Sequence, residues 1–592
     1  MIPGVIRQYS KKATMNRRDF IKRVGAGAFL GASTAGLVAK PRKKPNVILV
    51  LTDDQGYGDL ACHGNPAIQT PHLDKLYTQS TRLTNFHVDP TCAPTRSALM
   101  TGRYSNRTGV WHTIQGRNLL RRREVTMADV FVQNGYETGI FGKWHLGDSY
   151  PFRPQDRGFK EVVIHGGGGV TQTPDFWGND YFDDTYRVNG EPKAFKGYCT
   201  DVWFDCAMDF IRQNSHRPFF CYLSTNAPHG PLYCPEKYLK MYDEIEEESL
   251  KAFYGMITNI DDNMARLDRL LDELKLADNT IVLFMTDNGT ATGARKGGFL
   301  ASMTGKKSSQ YEGGHRVPCF IRWPGGKLKA AKDIDQLTAH LDILPTVIDL
   351  CQLEDPGIQF DGTSLRDLLY ENGQNWPDRS VIVESQRILN PQKWRKCAVM
   401  TQQWRLINGC ELYDVQKDPM QKNDIAAQHP DVVKRLKKDY EKFWADVSQD
   451  HHITSRYSIG SPRQNPVTLT AHDWLAPDVP WNQKQIGTKI GITGGWSLEV
   501  ERSGIYEISL RRWPKESDLA INDTFDDSSK SVNAEKARLR IGAYDQTQTI
   551  PSGAKEVSFR VDLEKGTAEL QGGFIGETTT GAFYAYVNYK KE

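Results

Sequence analysis

The chain has 592 residues, which is too long for a single hydrophobic core, so we expect two or three domains. Apolar residues make up 39% and charged residues 25%, as in ordinary soluble globular proteins, and the net charge of +3 favours neither nucleic acid nor a membrane surface as a partner. The ten cysteines lack the spacing of a disulfide framework, so we expect most of them to be small buried apolar residues.

The N-terminal segment predicts an export signal. Arg17 and Arg18 are followed by a weakly apolar run, rich in glycine and alanine, from Val24 to Ala39. This pattern resembles a twin-arginine signal, which the twin-arginine export machinery recognises. A basic tail beside a transmembrane helix is disfavoured because the run is short and rich in glycine. We therefore expect residues 1–40 to be a signal peptide and the mature protein to be periplasmic or secreted, without a membrane span.

Four segments combine an apolar run with polar residues at its end. In chain order they are NVILVLTDD, ETGIFGKWH, PFFCYLSTNAPH and TIVLFMTDN. Continuous apolar runs bounded by turn residues are typical of strands buried on both faces, as in a parallel sheet. Helical patterns lie between them, including SLKAFYGMITNIDDNMARLDRLLDELKL. The sequence thus predicts an α/β fold with a ligand site at the C-terminal ends of the strands.

Two of these strand ends carry hard oxygen ligands. Asp53 and Asp54 follow the first strand, and Asp287 and Asn288 follow the last. Three carboxylates and an amide oxygen, without thiolate or imidazole, suit Ca²⁺, with Mg²⁺ as the less favoured ion, rather than zinc. One Asp of each pair could instead cap the following turn. The recurrence of the pattern after two strands favours the metal site.

Cys92 is a lone cysteine just before the predicted start of a helix. Pro94 suits the first helical turn, and Arg96 lies within that turn. Free N–H groups and the helix dipole favour negative charge there, and the guanidinium adds a planar pair of donors. We interpret Cys92 as a nucleophile at an anion-binding helix terminus, with a lowered thiol pKa. The alternative interpretations are a buried structural cysteine and a residue that replaces the usual N-cap.

The C-terminal part of the chain predicts two smaller units. Residues 379–450 contain short strands followed by the amphipathic helix PDVVKRLKKDYEKFWADV. A polar connector, SIGSPRQNPVTLTAHDW, leads to short alternating segments that predict an antiparallel β-sandwich over residues 460–592. Its tryptophans are Trp474, Trp481, Trp496 and Trp513. They are expected to fill the core of the sandwich, and a platform that binds carbohydrate is the alternative. The module could also shape the rim of the active site or mediate oligomerisation.

Two glycine-rich loops are candidates for substrate contact. One spans residues 163–184, after the strand that ends in Lys143 and His145. The other spans residues 288–299, where Arg295 or Lys296 could meet a further anionic group. An ordinary surface loop is the alternative in both cases.

The Cys92 segment resembles the signature of the sulfatase family. C-A-P-T-R followed by S-A-L-M-T-G-R is similar to the family pattern C-x-P-x-R with a T-G-R tail. Four more blocks, GKWHLG, APHGP, TDNG and GKKSSQYEGGHRVP, follow in the family's usual order, so the resemblance covers roughly residues 45–447. It implies an alkaline-phosphatase-like α/β catalytic domain over 45–378 with a small C-terminal α+β subdomain over 379–450.

The resemblance also implies the nucleophile and the metal ligands. Cys92 would be oxidised to formylglycine (3-oxoalanine) by a formylglycine-generating enzyme, and Arg96 would hold the resulting hydrate. One hydroxyl of that hydrate would attack sulfur, and the other would allow the covalent sulfate to leave as the aldehyde re-forms. The calcium ligands would be Asp53, Asp54, Asp287, Asn288 and the modified Cys92.

The same resemblance implies the residues that handle sulfate and protons. Lys143 and Lys307 would bind sulfate oxygens, and Lys307 is preferred to Lys306 because it stands four residues before Tyr311, as in the family pattern. His145 would help to deprotonate the hydrate, and His229 would protonate the leaving alcohol.

The expected function is therefore an exported sulfatase that acts on sulfated carbohydrates. A phosphonate or phosphate monoester hydrolase of the same superfamily is the enzymatic alternative, because sulfate and phosphate sites differ little. A non-catalytic protein that binds sulfated glycans is the alternative from another class, and the presence of Cys92 and both histidines disfavours it.

Overall fold

The computed structural model describes residues 44–371, 373 and 376–591. The predicted signal peptide over residues 1–40 lies outside these ranges. Within them, no helix is both long enough and apolar enough to cross a lipid bilayer.

The described chain contains a series of strands and helices that we number in chain order. The strands are β1 (Asn46–Thr52), β2 (Thr81–Leu83), β3 (Phe86–His87), β4 (Glu137–Gly142), β5 (Glu161–Ile164), β6 (Thr185–Val188), β7 (Glu191–Ala194), β8 (Phe219–Ser224), β9 (Thr280–Thr286), β10 (Cys319–Arg322), β11 (Lys332–Ile334), β12 (Thr338–Ala339), β13 (Val381–Glu384), β14 (Cys397–Met400), β15 (Trp404–Ile407), β16 (Glu411–Asp414), β17 (Tyr457–Ile459), β18 (Val467–Thr470), β19 (Gly495–Val500), β20 (Gly504–Arg511), β21 (Lys536–Ile541), β22 (Tyr544–Thr549), β23 (Val557–Leu563), β24 (Gly566–Ile575), β25 (Thr579–Gly581) and β26 (Tyr584–Tyr589). The helices are α1 (Pro71–Gln79), α2 (Cys92–Thr101), α3 (Ser105–Thr108), α4 (Met127–Gln133), α5 (Cys199–Gln213), α6 (Glu236–Leu239), α7 (Glu248–Glu273), α8 (Glu312–His315), α9 (Ile343–Cys351), α10 (Arg366–Tyr370), α11 (Pro430–Val447) and α12 (Gln483–Thr488).

A ten-stranded sheet in the order β11-β2-β10-β9-β1-β8-β4-β5-β6-β7 forms the centre of the molecule. Its five middle strands, from β9 to β5, run parallel to one another. The four strands predicted to end in polar residues are consecutive neighbours in the order β9-β1-β8-β4. The predicted α/β fold with a mostly parallel central sheet is confirmed, and the polar ends of these strands meet at one edge.

Both faces of the central sheet are covered by apolar cores. Along β1, Val47, Leu49 and Leu51 join one core cluster, while Ile48 and Val50 join the other. Residues of α2, α4 and α9 contribute to the first cluster, and residues of α1, α5 and α7 contribute to the second. This two-sided burial explains why the strand sequences are continuously apolar instead of alternating.

A smaller α+β unit follows the central sheet. Strands β13 to β16 form a four-stranded antiparallel sheet. Helix α11 packs on this sheet through Leu436, Tyr440 and Phe443, as its apolar periodicity predicted.

The C-terminal part is an all-β sandwich, as predicted. One sheet has the order β17-β19-β24-β21-β22, with β25 beside β24, and the other has the order β18-β26-β20-β23. Trp474, Trp496 and Trp513 are at most 1% exposed, so they fill the core as predicted. Trp481 differs, because it is half-buried and lies under the guanidinium of Arg387, 5.0 Å from the ring centroid.

One prediction for this region is wrong. The segment expected to be a polar connector includes the end of β17 and all of β18, which belong to the two different sheets of the sandwich. These strands are only three and four residues long and are separated by a proline-bearing turn, so their apolar alternation is too short to be recognised in the sequence.

Candidate active site

The acidic residues after β1 and β9 lie together because the two strands are parallel neighbours. The backbone N–H of Asp54 donates to Oδ1 of Asp287 at 3.2 Å, and Nδ2 of Asn288 donates to Oδ1 of Asp54 at 2.8 Å. Asp53, Asp287 and Asn288 are completely buried. The predicted ligand set therefore converges on one place.

Cys92 joins this cluster from the start of α2. The helix begins at Cys92 itself, one residue earlier than expected, and ligand atoms of Asp53, Cys92 and Asp287 lie within 4.8 Å of one another. Burial raises the pKa of the thiol, although Lys143 and Lys307 oppose that effect. The predicted lowering of this pKa is therefore wrong, since the helix terminus and the lysines do not compensate for the loss of hydration.

Arg96 ties the cluster together from the first turn of α2. Its Nε and Nη2 atoms donate to Oδ2 of Asp287 at 3.1 and 2.7 Å. Its Nη1 atom donates to Oγ of Ser224 at 2.5 Å and to the backbone carbonyl of Lys143 at 3.3 Å. The guanidinium thus connects the ends of β4, β8 and β9 with the helix that carries Cys92.

Two lysines pair with the first two carboxylates. Lys143 forms a fully buried ion pair with Asp53, and Nζ of Lys307 lies 2.5 Å from Oδ1 of Asp54. The neighbouring Lys306 is exposed, so it is Lys307 that contacts the cluster. Burial by itself would raise the pKa of Asp54, but Lys307 and His229 hold this pKa well below its usual range.

The buried acceptors fit a divalent cation. Oδ1 of Asp53 and Oδ1 of Asn288 are buried and have no hydrogen-bond partner among the described residues. Burial, reinforced by the charge of Asp53, raises the pKa of Asp287 to about 6. Unpaired buried oxygens and mutually repelling carboxylates are costly, and a hard cation would satisfy both. The donor set is of the kind that binds Ca²⁺ or Mg²⁺.

The ring of His145 is held by a hydrogen bond from one of its two nitrogens. Its Nε2 atom donates to the carbonyl of Thr113 at 2.8 Å, whereas its Nδ1 atom is buried without a partner in the described chain. Burial, followed by the charge of Lys143, lowers the pKa of His145 well below its usual value. The neutral ring therefore presents Nδ1 as a proton acceptor.

His229 occupies the more open side of the cluster. Its side chain is 18% exposed, and its Nε2 atom lies 3.8 Å from Oδ2 of Asp54. Its Nδ1 atom donates to the carbonyl of Gly230 at 2.7 Å. Burial lowers the pKa of His229 to about 3.

Some groups at the site were missed in the sequence. Ser224 is the last residue of β8, and a polar residue ending an apolar strand was an available signal. The Thr113 carbonyl could not be found from the sequence, because a backbone atom is not marked by any residue type.

Of the two candidate loops, residues 163–184 reach both histidines through Gly168 and Gly169. In the other loop, Arg295 and Lys296 form surface ion pairs with Glu247 and Glu246.

Comparison with known proteins identifies the family to which this chain belongs. The Sulfatase family model matches residues 45–353, more than half of the chain, and a second model, for the C-terminal part of N-sulphoglucosamine sulphohydrolase, matches residues 305–446. N-acetylgalactosamine-6-sulfatase of Sus scrofa is 32% identical over 57% of this chain and 68% of its own. Human arylsulfatase A is 31% identical over 59% of this chain and 72% of its own.

A solved structure extends the similarity to three dimensions. The crystal structure of Ps i-CgsB in complex with k-i-k-neocarrahexaose superposes with a TM-score of 0.63 at 27% identity, covering 70% of this chain and 95% of that one. The chain therefore belongs to the sulfatase family and is a sulfuric ester hydrolase.

Proposed function

We propose that this protein is an exported sulfatase that removes sulfate from carbohydrates, using a formylglycine made from Cys92 and a bound Ca²⁺. The observation that carries the proposal is the placement of Cys92. It begins α2, and its Sγ lies within 4.8 Å of ligand atoms of Asp53 and Asp287. Their cluster includes buried oxygens that have no hydrogen-bond partner in the described part of the chain. A cysteine with only a structural role would not require carboxylates and buried oxygens around its sulfur atom.

The residues around Cys92 suit the removal of sulfate. As hydrated formylglycine, residue 92 would supply one hydroxyl to attack sulfur and a second to expel sulfate afterwards. Ca²⁺ would be held by the oxygens of Asp53, Asp54, Asp287, Asn288 and residue 92, and would supply positive charge for the sulfate oxygens. Lys143 and Lys307 add further positive charge around the same oxygens, while Arg96 fixes the hydrate.

The two histidines divide the proton transfers. Nδ1 of His145 belongs to a neutral ring and has no hydrogen-bond partner among the described residues, which suits removal of a proton from the hydrate. His229 lies on the more open side, from which the alcohol of the ester would leave, and Nε2 is the ring nitrogen that makes no bond to Gly230. The negative charge of the bound ester would raise the pKa of His229 and favour protonation of Nε2. The protonated ring would then donate this proton to the departing alcohol.

The names of the similar proteins support a carbohydrate substrate. N-acetylgalactosamine-6-sulfatase is named for a sulfated sugar, and the Ps i-CgsB structure contains a neocarrahexaose. We infer a sulfated saccharide as substrate, a formylglycine-generating enzyme as a partner, and export to the periplasm or medium through the twin-arginine signal over residues 1–40. We also propose a catalytic domain over 45–378, a subdomain over 379–450 and an accessory sandwich over 460–592.

The proposal is tested by turnover of defined esters. The purified protein, made in a host with a formylglycine-generating system, is assayed side by side on 4-nitrophenyl sulfate, an aryl phosphonate and a panel of defined sulfated saccharides. We expect hydrolysis of the aryl sulfate and of at least one saccharide sulfate, with much slower turnover of the phosphonate. Preferred turnover of the phosphonate would replace the proposal with a phosphonate hydrolase.

A further inference from the structure

The glycine-rich loop 166–169 lies directly against both histidines of the active site. A Cβ atom added to Gly168 would lie 2.2 Å from Cε1 of His145, and one added to Gly169 would lie 3.3 Å from Nδ1 of His229. The backbone of the loop thus approaches both rings closely enough to leave no free space for a Cβ atom, which restricts their movement. The position of this loop therefore fixes where both imidazoles can lie.

The loop is itself held by side chains that follow it or face it. The N–H of Gly168 donates to Oε1 of Gln172 at 2.9 Å, and the N–H of Gly167 donates to Oδ1 of Asp148 at 3.0 Å. Since Gln172 lies only four residues further along the chain, the place of the loop depends on what holds the segment 171–173.

That segment is held by the C-terminal sandwich. Gln172 forms an isolated antiparallel bridge with Asn482. Oγ1 of Thr173 donates to the carbonyl of Pro480 at 2.8 Å, and the hydroxyl of Tyr584 donates to the carbonyl of Thr173 at 2.8 Å. Thr173 is fully buried, so these bonds are shielded from water.

The sandwich also holds the backbone on the other side of His145. The carbonyl of Thr113 accepts the hydrogen bond from His145, and two residues later the N–H of Gln115 donates to the carbonyl of His472 at 2.8 Å. Between them, Ile114 is part of the apolar core of the sandwich. Two backbone segments next to the His145 ring, 113–115 and 166–169, are thus anchored on the same C-terminal module.

We propose that the C-terminal sandwich completes the catalytic site by holding loop 166–169 and segment 113–115 against His145 and His229. Its anchoring groups, among them Tyr584, are positioning residues, because they act on the histidines through these loops. The inference rests on the proposed function, since it requires both histidines to transfer protons. The two matched family models end at residues 353 and 446, before the sandwich begins.

A matched pair of hydroxyl deletions tests this role. Tyr584→Phe removes the bond to Thr173, whereas Tyr506→Phe removes a bond to the carbonyl of Arg502 within the sandwich. Both tyrosines are buried, and both hydroxyls donate at 2.7–2.8 Å to a backbone carbonyl. The two variants of the full-length, formylglycine-bearing enzyme should therefore lose similar amounts of thermal stability.

Their kinetics should differ. Both are assayed on 4-nitrophenyl sulfate and on phenyl sulfate, whose alcohol leaves less readily and depends more on protonation. Loss of one positioning hydrogen bond should lower kcat of Tyr584→Phe on phenyl sulfate about three- to tenfold, with a smaller loss on 4-nitrophenyl sulfate and little change in KM. Tyr506→Phe should keep kcat within about twofold on both esters, as expected of a bond away from the site.

The outcomes separate this inference from the proposed function. If the wild-type enzyme hydrolyses both esters and Tyr584→Phe behaves like Tyr506→Phe on both, the sandwich does not position the histidines. If the wild-type enzyme hydrolyses neither ester, it is the proposed function that fails. Should Tyr584→Phe not fold, Thr173→Val removes the bond to Pro480 from the catalytic side, and the same selective loss is expected.

Discussion

Arg96 donates two hydrogen bonds to Oδ2 of Asp287, and both side chains are completely inaccessible to solvent. A buried ion pair contributes little net stability relative to apolar residues, but removal of one partner leaves the other charge unpaired. Removal of Arg96 should therefore lower the free energy of unfolding, whatever role Arg96 has in catalysis.

Arg96→Ala should destabilise the folded protein by about 3–5 kcal/mol, because Asp287 would remain buried without its guanidinium partner. Chemical denaturation of the two proteins measures the difference. Arg538→Ala is the matched control, since its ion pair with Asp545 is exposed and its loss should leave the free energy of unfolding nearly unchanged. Equal stability of Arg96→Ala and wild type would contradict the buried-pair account.

Calcium should stabilise the protein through the acidic cluster. A ligand that binds only the folded state adds about 2.7 kcal/mol when its concentration is one hundred times Kd. We expect EDTA to lower Tm of the wild-type protein and Ca²⁺ to restore it. Asp53→Ala should lose this response together with most of the turnover, since Oδ1 of Asp53 is a buried oxygen without a hydrogen-bond partner within the described ranges.

Asp545→Ala, which removes an exposed carboxylate of the sandwich, is the control and should keep the full response to Ca²⁺. If neither the Tm nor the turnover of the wild-type protein changes with EDTA or with added Ca²⁺, a metal at this cluster is ruled out.

His229→Ala should discriminate between leaving groups. A saccharide sulfate needs a proton on its departing oxygen, whereas 4-nitrophenolate leaves well without one. Loss of a general acid typically costs about 10²–10⁴-fold, so kcat on the saccharide sulfate should fall by that order and kcat on 4-nitrophenyl sulfate by much less. Equal losses on both esters would show that His229 is not the acid.

Gly168 should not accept a side chain. In Gly168→Ala the new Cβ would meet the His145 ring at 2.2 Å, whereas in Gly169→Ala it would meet Nδ1 of His229 at 3.3 Å, a contact that a small shift relieves. Displacement of a catalytic group by about 1 Å costs on the order of 10²-fold in rate. Steady-state kinetics should therefore show a far larger loss of kcat for Gly168→Ala, and comparable rates for the two variants would contradict the role of Gly168 in holding a catalytic His145.

The sequence predicted the parts of the site that depend on local pattern. Asp53 and Asp287 follow continuous apolar runs, and parallel strands bring such ends to one edge, so their proximity could be inferred. Cys92 and Arg96 were found for a similar reason, because a helix start and its first turn have recognisable residues. The family resemblance then supplied roles that spacing by itself could not give.

What could not be predicted depends on tertiary burial and distant contacts. The pKa of Cys92 was predicted wrongly because the helix terminus is visible in the sequence but the burial of the thiol is not. The contact between Gln172 and Asn482 joins residues far apart in the chain, and neither carries a local signal for it. The same holds for the Thr113 carbonyl, whose position depends on the sandwich that packs against it.

The most direct test of the whole account is the chemical state of residue 92. Peptide mass spectrometry over residues 89–96, made alongside assays on 4-nitrophenyl sulfate, compares protein from hosts with and without a formylglycine-generating system. We expect aldehyde and turnover to rise together, and we expect folded but nearly inactive protein where the cysteine is intact. A fully active preparation whose peptide contains only unmodified Cys92 would contradict the formylglycine mechanism.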